Sequence, residues 1–193
     1  MKNVLFKKTL FSLLLLLSFI GYSQNIPLSK DAKASVITCG LGNETYSYFG
    51  HTAIRISDPA NNIDVVYNFG AFDFRTPNFV AKFAKGDLQY FVITHSFSEF
   101  LNEYNEDKRS VFEQELLISL DLKQKLFDKL NSVLLSEERY YTYKFIDKNC
   151  TSMVVDIINS TLNGNVIVKK EDTDKTYRSI LFPYFNGHFY DQL

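Results

Sequence analysis

The 193-residue sequence has no tryptophan, two cysteines, two methionines, three histidines and four prolines, and its 21 basic and 22 acidic side chains nearly cancel to a formal charge of −1. Two cysteines are too few for a disulfide scaffold or a thiolate zinc site, so they act singly or as one pair. Balanced charge without a Lys/Arg-rich stripe removes the electrostatic footprint of nucleic-acid binding, and no nucleic-acid partner is expected. Neither a His-x-x-x-His nor a paired-Cys motif occurs, and Glu103, Glu106 and Asp107 read as solvated loop residues, so no metal and no cofactor is expected. Internal repeats and low-complexity tracts are also lacking. What is present is a globular composition, 46% hydrophobic and 22% charged, at a length that suits one domain with a real core.

The first segment differs from the rest. Residues 1–23 (MKNVLFKKTLFSLLLLLSFIGYS) begin with Lys2, Lys7 and Lys8, continue as an apolar run from Leu10 to Ile20, and end in small residues at Gly21 and Ser23. That order is a secretory signal peptide with cleavage expected after Ser23; a membrane anchor would need roughly 20 uninterrupted apolar residues. Removing the three signal lysines takes the formal charge from −1 to −4 and leaves an exported chain. No later run is long enough to span a bilayer.

A polar lead-in, 24–34, precedes a single domain expected over 35–193. Ser35 to Cys39 reads as a strand ended by Gly40, Gly42 and Asn43. A second strand lies within Tyr48 to Ser57, and the Asp58–Asn62 turn returns it as a hairpin with Asp64 to Phe69. Thr76–Pro77 signals a helix start that runs to Gly86. Leu88 to Thr94 and Ser110 to Ile118 read as strands, and Ser96 with Glu99 forms a capping box for a short helix through Tyr104. Leu122, Leu126, Leu130, Val133 and Leu134 carry a helical period over Asp121 to Leu135. The last helix opens at Cys150, with Met153, Val154, Ile157 and Ile158 on one face and Gly164 as its stop; the aromatic tail from Tyr177 is expected to pack on the domain. The sum is α+β, an antiparallel sheet with helices packed on one side.

Few residues can supply a nucleophile and a base. Cys150 at a helix start sits where the first-turn N–H groups favour the thiolate, the reactive form. His51, in the Gly-His-Thr-Ala sequence of a strand, carries the side chain best matched to moving a proton near neutral pH. Three readings stay open for the cysteines: a Cys150–His51 pair, a plain core cysteine, or a Cys39–Cys150 disulfide closing a long loop. His95 and His188 have no evident helper.

The stretches ITCGLGNETYSYFGHTAIRISDP, VVYNFGAFDFRTPNFVAKFAKGDLQY, RSVFEQEL and RYYTYKFIDKNCTS resemble, in order from about Ile37 to Asn163, the periplasmic domain of the Lnb family of bacterial lipoprotein N-acyltransferases. A strand with Gly-His first and a helix opening with Cys later also resembles the permuted papain-like fold of the NlpC-type and lecithin:retinol acyltransferase clan. The resemblance implies Cys150 as nucleophile and His51 as base; for the third group it leaves a choice, and Asn68 on the neighbouring strand is expected, with Asp73 and Glu44 behind it. Cys39, Tyr46, Tyr143 and Asn149 are implied as supporting or substrate-binding residues. It further implies a phospholipid acyl donor and the α-amine of a lipoprotein's N-terminal lipidated cysteine as acceptor. Family members commonly continue into a membrane-embedded part; without a further spanning run here, bilayer access is expected from the aromatic tail or a membrane-embedded partner. Two alternatives accompany this reading: a thiol hydrolase or amidase acting on cell-wall peptide, and a non-catalytic envelope domain held by a disulfide.

Overall fold

A computed structural model of the chain describes residues 26–162, 164, 166–168, 176, 179 and 182–185. The signal segment, its cleavage site and most of the tail from Tyr177 lie outside the described residues. Six strands, β1 (Lys33–Cys39), β2 (His51–Asp58), β3 (Ile63–Phe72), β4 (Gln89–Ser96), β5 (Val111–Glu115) and β6 (Tyr140–Thr142), form one sheet in the order β5-β1-β2-β3-β4-β6. Every neighbouring pair is antiparallel. Four helices, α1 (Phe79–Lys85), α2 (Phe97–Glu106), α3 (Leu120–Leu135) and α4 (Cys150–Thr161), complete the α+β architecture expected from the sequence.

Local signals account for most boundaries. The β2–β3 hairpin turns through Pro59–Asn61 and Asn62, whose φ of 54° is the left-handed conformation that asparagine tolerates. Beside it the buried Asp58 carboxylate accepts hydrogen bonds from the Ser29 N–H (2.7 Å), the Ser29 hydroxyl (2.6 Å) and Asn61 Nδ2 (2.7 Å). A buried charge so satisfied fastens the lead-in to the hairpin. The Ser96–Glu99 capping box is present and opens α2, which runs past Tyr104 to Glu106. Helix α1 starts later than expected: Asn78 in the left-handed conformation is its N-cap, and Pro77 belongs to the turn before it. Strand β6 has no counterpart in the sequence reading, because three residues are too few to show an alternation.

The helices lie on both faces of the sheet, not on one. On one face Ile54, Ile56, Tyr67 and Phe69 pack with Leu126 and Leu130 of α3 and with Val154 and Ile158 of α4. On the other, Ile37, Cys39, Ala53 and Val66 are covered by Phe100 and Tyr104 of α2. The reason lies in the central strands, where adjacent residues such as Ala53–Ile54 and Val66–Tyr67 are all buried; a strand apolar on both sides needs cover on both. Phe100→Ala is therefore expected to cost about 3–5 kcal/mol in urea unfolding, whereas Phe112→Ala, on the exposed surface of edge strand β5, stays within about 0.5 kcal/mol.

Candidate active site

His51 is the first residue of β2, delivered by a glycine at a position where a side chain would not fit. Gly50 has a φ of +74°, and a Cβ there would lie 2.5 Å from the Cys39 carbonyl oxygen. Glycine lets the chain pass close against β1 and begin β2 with histidine opposite Cys39.

On the neighbouring strand the β3–β4 register shifts between Asn68 and Ala71: Asn68 faces Ile93 and Ala71 faces Phe91, so β3 carries one extra residue. Such a bulge re-aims the side chains around it. Asn68 Oδ1 accepts the Gly70 N–H at 2.9 Å and lies 2.8 Å from His51 Nε2. Because a peptide N–H can only donate, it identifies the amide atom as oxygen, and the oxygen in turn requires a proton on Nε2. Nδ1 is left to face the thiol. A Cβ on Gly70 would stand 2.6 Å from His51 Cε1 and 3.2 Å from Nδ1, so this glycine makes the space the ring occupies. The Tyr141 hydroxyl donates to the Phe69 carbonyl and ties the bulge to β6.

Cys150 is the first residue of α4. Asn149 caps the helix reciprocally: its Oδ1 accepts the Ser152 N–H (3.0 Å) and its own N–H donates to Ser152 Oγ (2.9 Å). Its Nδ2 also donates to the Phe145 carbonyl (3.1 Å), which fixes the preceding loop. Burial raises the pKa of the half-buried Cys150 thiol, but the hydrogen bond and charge of His51, the Thr52 N–H and the Thr151 hydroxyl outweigh it and bring the pKa down to about 7. One residue further along each element, Thr52 Oγ1 and Thr151 Oγ1 lie 2.9 Å apart, a staple between β2 and α4.

Cys39 is different. It is buried among Ala53, Val66 and Phe100, and burial pushes its thiol up to about 11 despite a hydrogen bond with Tyr104. The two cysteines are free. The disulfide considered from composition is thus corrected: each thiol has its own partner, Tyr104 for Cys39 and His51 for Cys150.

A cleft of about 200 Å³ opens over Cys150 and His51, walled by Tyr46, Phe72, Phe83, Tyr90, Tyr143 and Phe145. Tyr143 stacks on Tyr90 at 4.4 Å, and burial, then the nearby Cys150, push its hydroxyl up to about 12, which keeps it neutral. Of the residues singled out from the sequence, Tyr46, Tyr143 and Asn149 border this cleft. Asp73 and Glu44 do not. Asp73 is bound to its neighbour Arg75 in solvent, and Glu44 precedes the 3₁₀ turn Thr45–Ser47 with its N–H on Ser47 Oγ. Thr52, Thr151 and Gly70 were missed; the two threonines follow His51 and Cys150 directly, a signal open to reading. Among the described residues no cluster of His, Cys, Asp and Glu could hold a metal ion, and none of Asp, Glu, Lys or Arg borders the cleft.

The domain is thus an α+β unit whose helix-start cysteine meets a strand histidine steadied by an asparagine. Over residues 25–181 the chain matches the family described as the Lnb N-terminal periplasmic domain, and it belongs to that family. No curated protein and no solved structure matched it. No helix among the described residues is long and apolar enough to cross a membrane.

Alkylation of Cys150 by iodoacetamide in the native protein is expected to rise with pH around a midpoint of about 7, since the thiolate is the reactive form. His51→Ala leaves burial opposed only by the weaker contacts and moves the midpoint upward. Gly70→Ala, which drives a methyl group into the ring, moves it the same way. Unchanged midpoints would contradict this account of the thiol.

Proposed function

We propose that this chain is a periplasmic Cys–His acyltransferase that moves an acyl chain from a phospholipid to the N-terminal amine of lipoproteins. The observation that supports it most is the Cys150 thiol hydrogen-bonded to His51, whose Nε2 is held by Asn68. In this reading the Cys150 thiolate attacks the ester carbonyl, and the first-turn N–H groups of α4 receive the oxyanion. His51, protonated by the thiol, returns its proton to the leaving alcohol as the C–O bond breaks. The thioester is then attacked by the acceptor amine; His51 takes the amine's proton, the C–S bond breaks and the thiolate is restored.

The same elements support a permuted papain-like arrangement, with histidine on an early antiparallel strand and cysteine at a later helix start. Export through residues 1–23, with cleavage after Ser23, agrees with the periplasmic family. Donor and acceptor both sit at a bilayer, so a membrane-embedded partner belongs to the proposal. The cleft has no Lys or Arg among the described residues, so a phospholipid's phosphate rests outside it and only the uncharged ester need reach Cys150. The runner-up is hydrolysis, with water replacing the amine; a cleft without charged side chains is a poor seat for acidic cell-wall peptide.

The test is incubation of the mature chain with phospholipid in mixed micelles and a diacylglyceryl-cysteine peptide, read by mass spectrometry. The expected result is an acyl adduct on Cys150 that passes to the peptide amine. Cys150→Ala removes both, and His51→Ala slows transfer by about 10²-fold or more. Full transfer by Cys150→Ala would refute the proposal, and free fatty acid with no acylated peptide would select the hydrolase.

A further inference from the structure

His51, the partner of Cys150, borders a second cavity. Beyond the Thr52–Thr151 staple lies a groove of about 780 Å³, walled by Val36, Leu116, Val154, Val155, Val166 and Val168. Phe49, His51 and Thr151 line it and the aromatic cleft alike, so the two spaces meet at His51 and at the residue that follows Cys150. The groove's character is unlike the cleft's. Its outer part is aliphatic, Thr38, Thr52, Gln114 and Thr151 are its uncharged polar members, and among the described residues none of Asp, Glu, Lys or Arg borders it. Its volume falls within the range of about 300–1,000 Å³ usual for small-molecule sites, whereas the cleft at about 200 Å³ falls below it.

The outer wall is deliberately held. Asn159 of α4 grips Ile167 at two points, Oδ1 accepting its N–H and Nδ2 donating to its carbonyl, each at 2.9 Å. The flanking Val166 and Val168 are 61% and 65% exposed, two large apolar side chains kept in water beside the site. An acidic or basic peptide would need sites for charge, which this lining does not offer among the described residues. A hydrocarbon chain needs none, and gains from each methylene removed from water.

Resting on the acyltransferase reading, we propose that this groove is the seat of the acyl chain, with the aromatic cleft left to admit the acceptor amine. The ester carbonyl then lies at the junction formed by Phe49, His51 and Thr151, within reach of Cys150. Donor chain and acceptor approach from different cavities, so the acyl chain can stay in place between the two half-reactions.

The test uses p-nitrophenyl acetate, butanoate and octanoate with the mature chain and with the double variant Val166→Asp/Val168→Asp. Both positions are exposed, so the fold is retained. Burial of one methylene corresponds to about fourfold in binding, and kcat/KM is expected to rise at least tenfold from acetate to octanoate. The double variant is expected to lose at least tenfold more on octanoate than on acetate. A fluorescent sixteen-carbon fatty acid, titrated into Cys150→Ala, is expected to bind saturably and to bind at least tenfold more weakly when the two aspartates are added. A flat chain-length profile, unchanged octanoate turnover in the variant, or fatty-acid binding indifferent to the aspartates would overturn the groove assignment. Failure of the underlying reading looks different: no acetyl thioester forms on Cys150 at all.

Discussion

Asn68 Oδ1 is the acceptor on which the site depends. It takes the Gly70 N–H of its own strand and the His51 Nε2 proton of the next one. The first bond locks the amide, the second selects the tautomer, and the histidine's other nitrogen is thereby turned toward Cys150. The supporting pieces are backbone features. A one-residue bulge re-aims this stretch of β3, Gly70 vacates the space for the ring, and Gly50 lets β2 begin against β1. Each is a place where a side chain would obstruct the contact.

The rest of the fold holds the strand and the helix in relation to each other. Cys150 comes from α4 and His51 from β2, with 98 residues between them in the chain. They are brought together by α4 packing on β2 and β3 through Val154 and Ile158, and by the Thr52–Thr151 staple beside the cysteine–histidine pair. Cover on both sheet faces stiffens β1 to β3, the strands that carry or flank the site. Burial and hydrogen bonding oppose each other at the thiol, and the hydrogen bonds win; at Cys39 burial wins, and that sulfur stays a protonated core residue.

The parts of this arrangement that could be read in the sequence were those carried by local chemistry. The Ser96–Glu99 box, the apolar period of Asp121 to Leu135 and the Pro59–Asn62 turn all have one physical meaning and one place. His51 and Cys150 stood out by residue type and by the elements they open. What escaped was relational. Ala53 and Ile54 are adjacent in β2 and point to opposite faces, yet both are buried because α2 covers the second face. The bulge at Asn68–Ala71 exists only against β4 and leaves no mark in β3 alone. Asp73 has the right chemistry for a third group, but Arg75, two residues on, satisfies it locally in solvent. Cys39, implied by the resemblance as a supporting residue, has its thiol against Tyr104 in the core under α2, while the residue itself also borders the groove.

The two cavities that meet at His51 differ, one aromatic and narrow, the other mainly aliphatic and wide, an asymmetry that accords with the two substrates of the proposed transfer. All of this presupposes that Asn68, acting through His51, sets the reactivity of Cys150. Titration of the thiolate absorbance in Asn68→Ala, against the unaltered chain, measures that dependence directly. The account predicts a midpoint of about 7 for the unaltered chain and a higher one for Asn68→Ala, because the freed ring no longer holds Nδ1 toward the sulfur. An unchanged midpoint would contradict it.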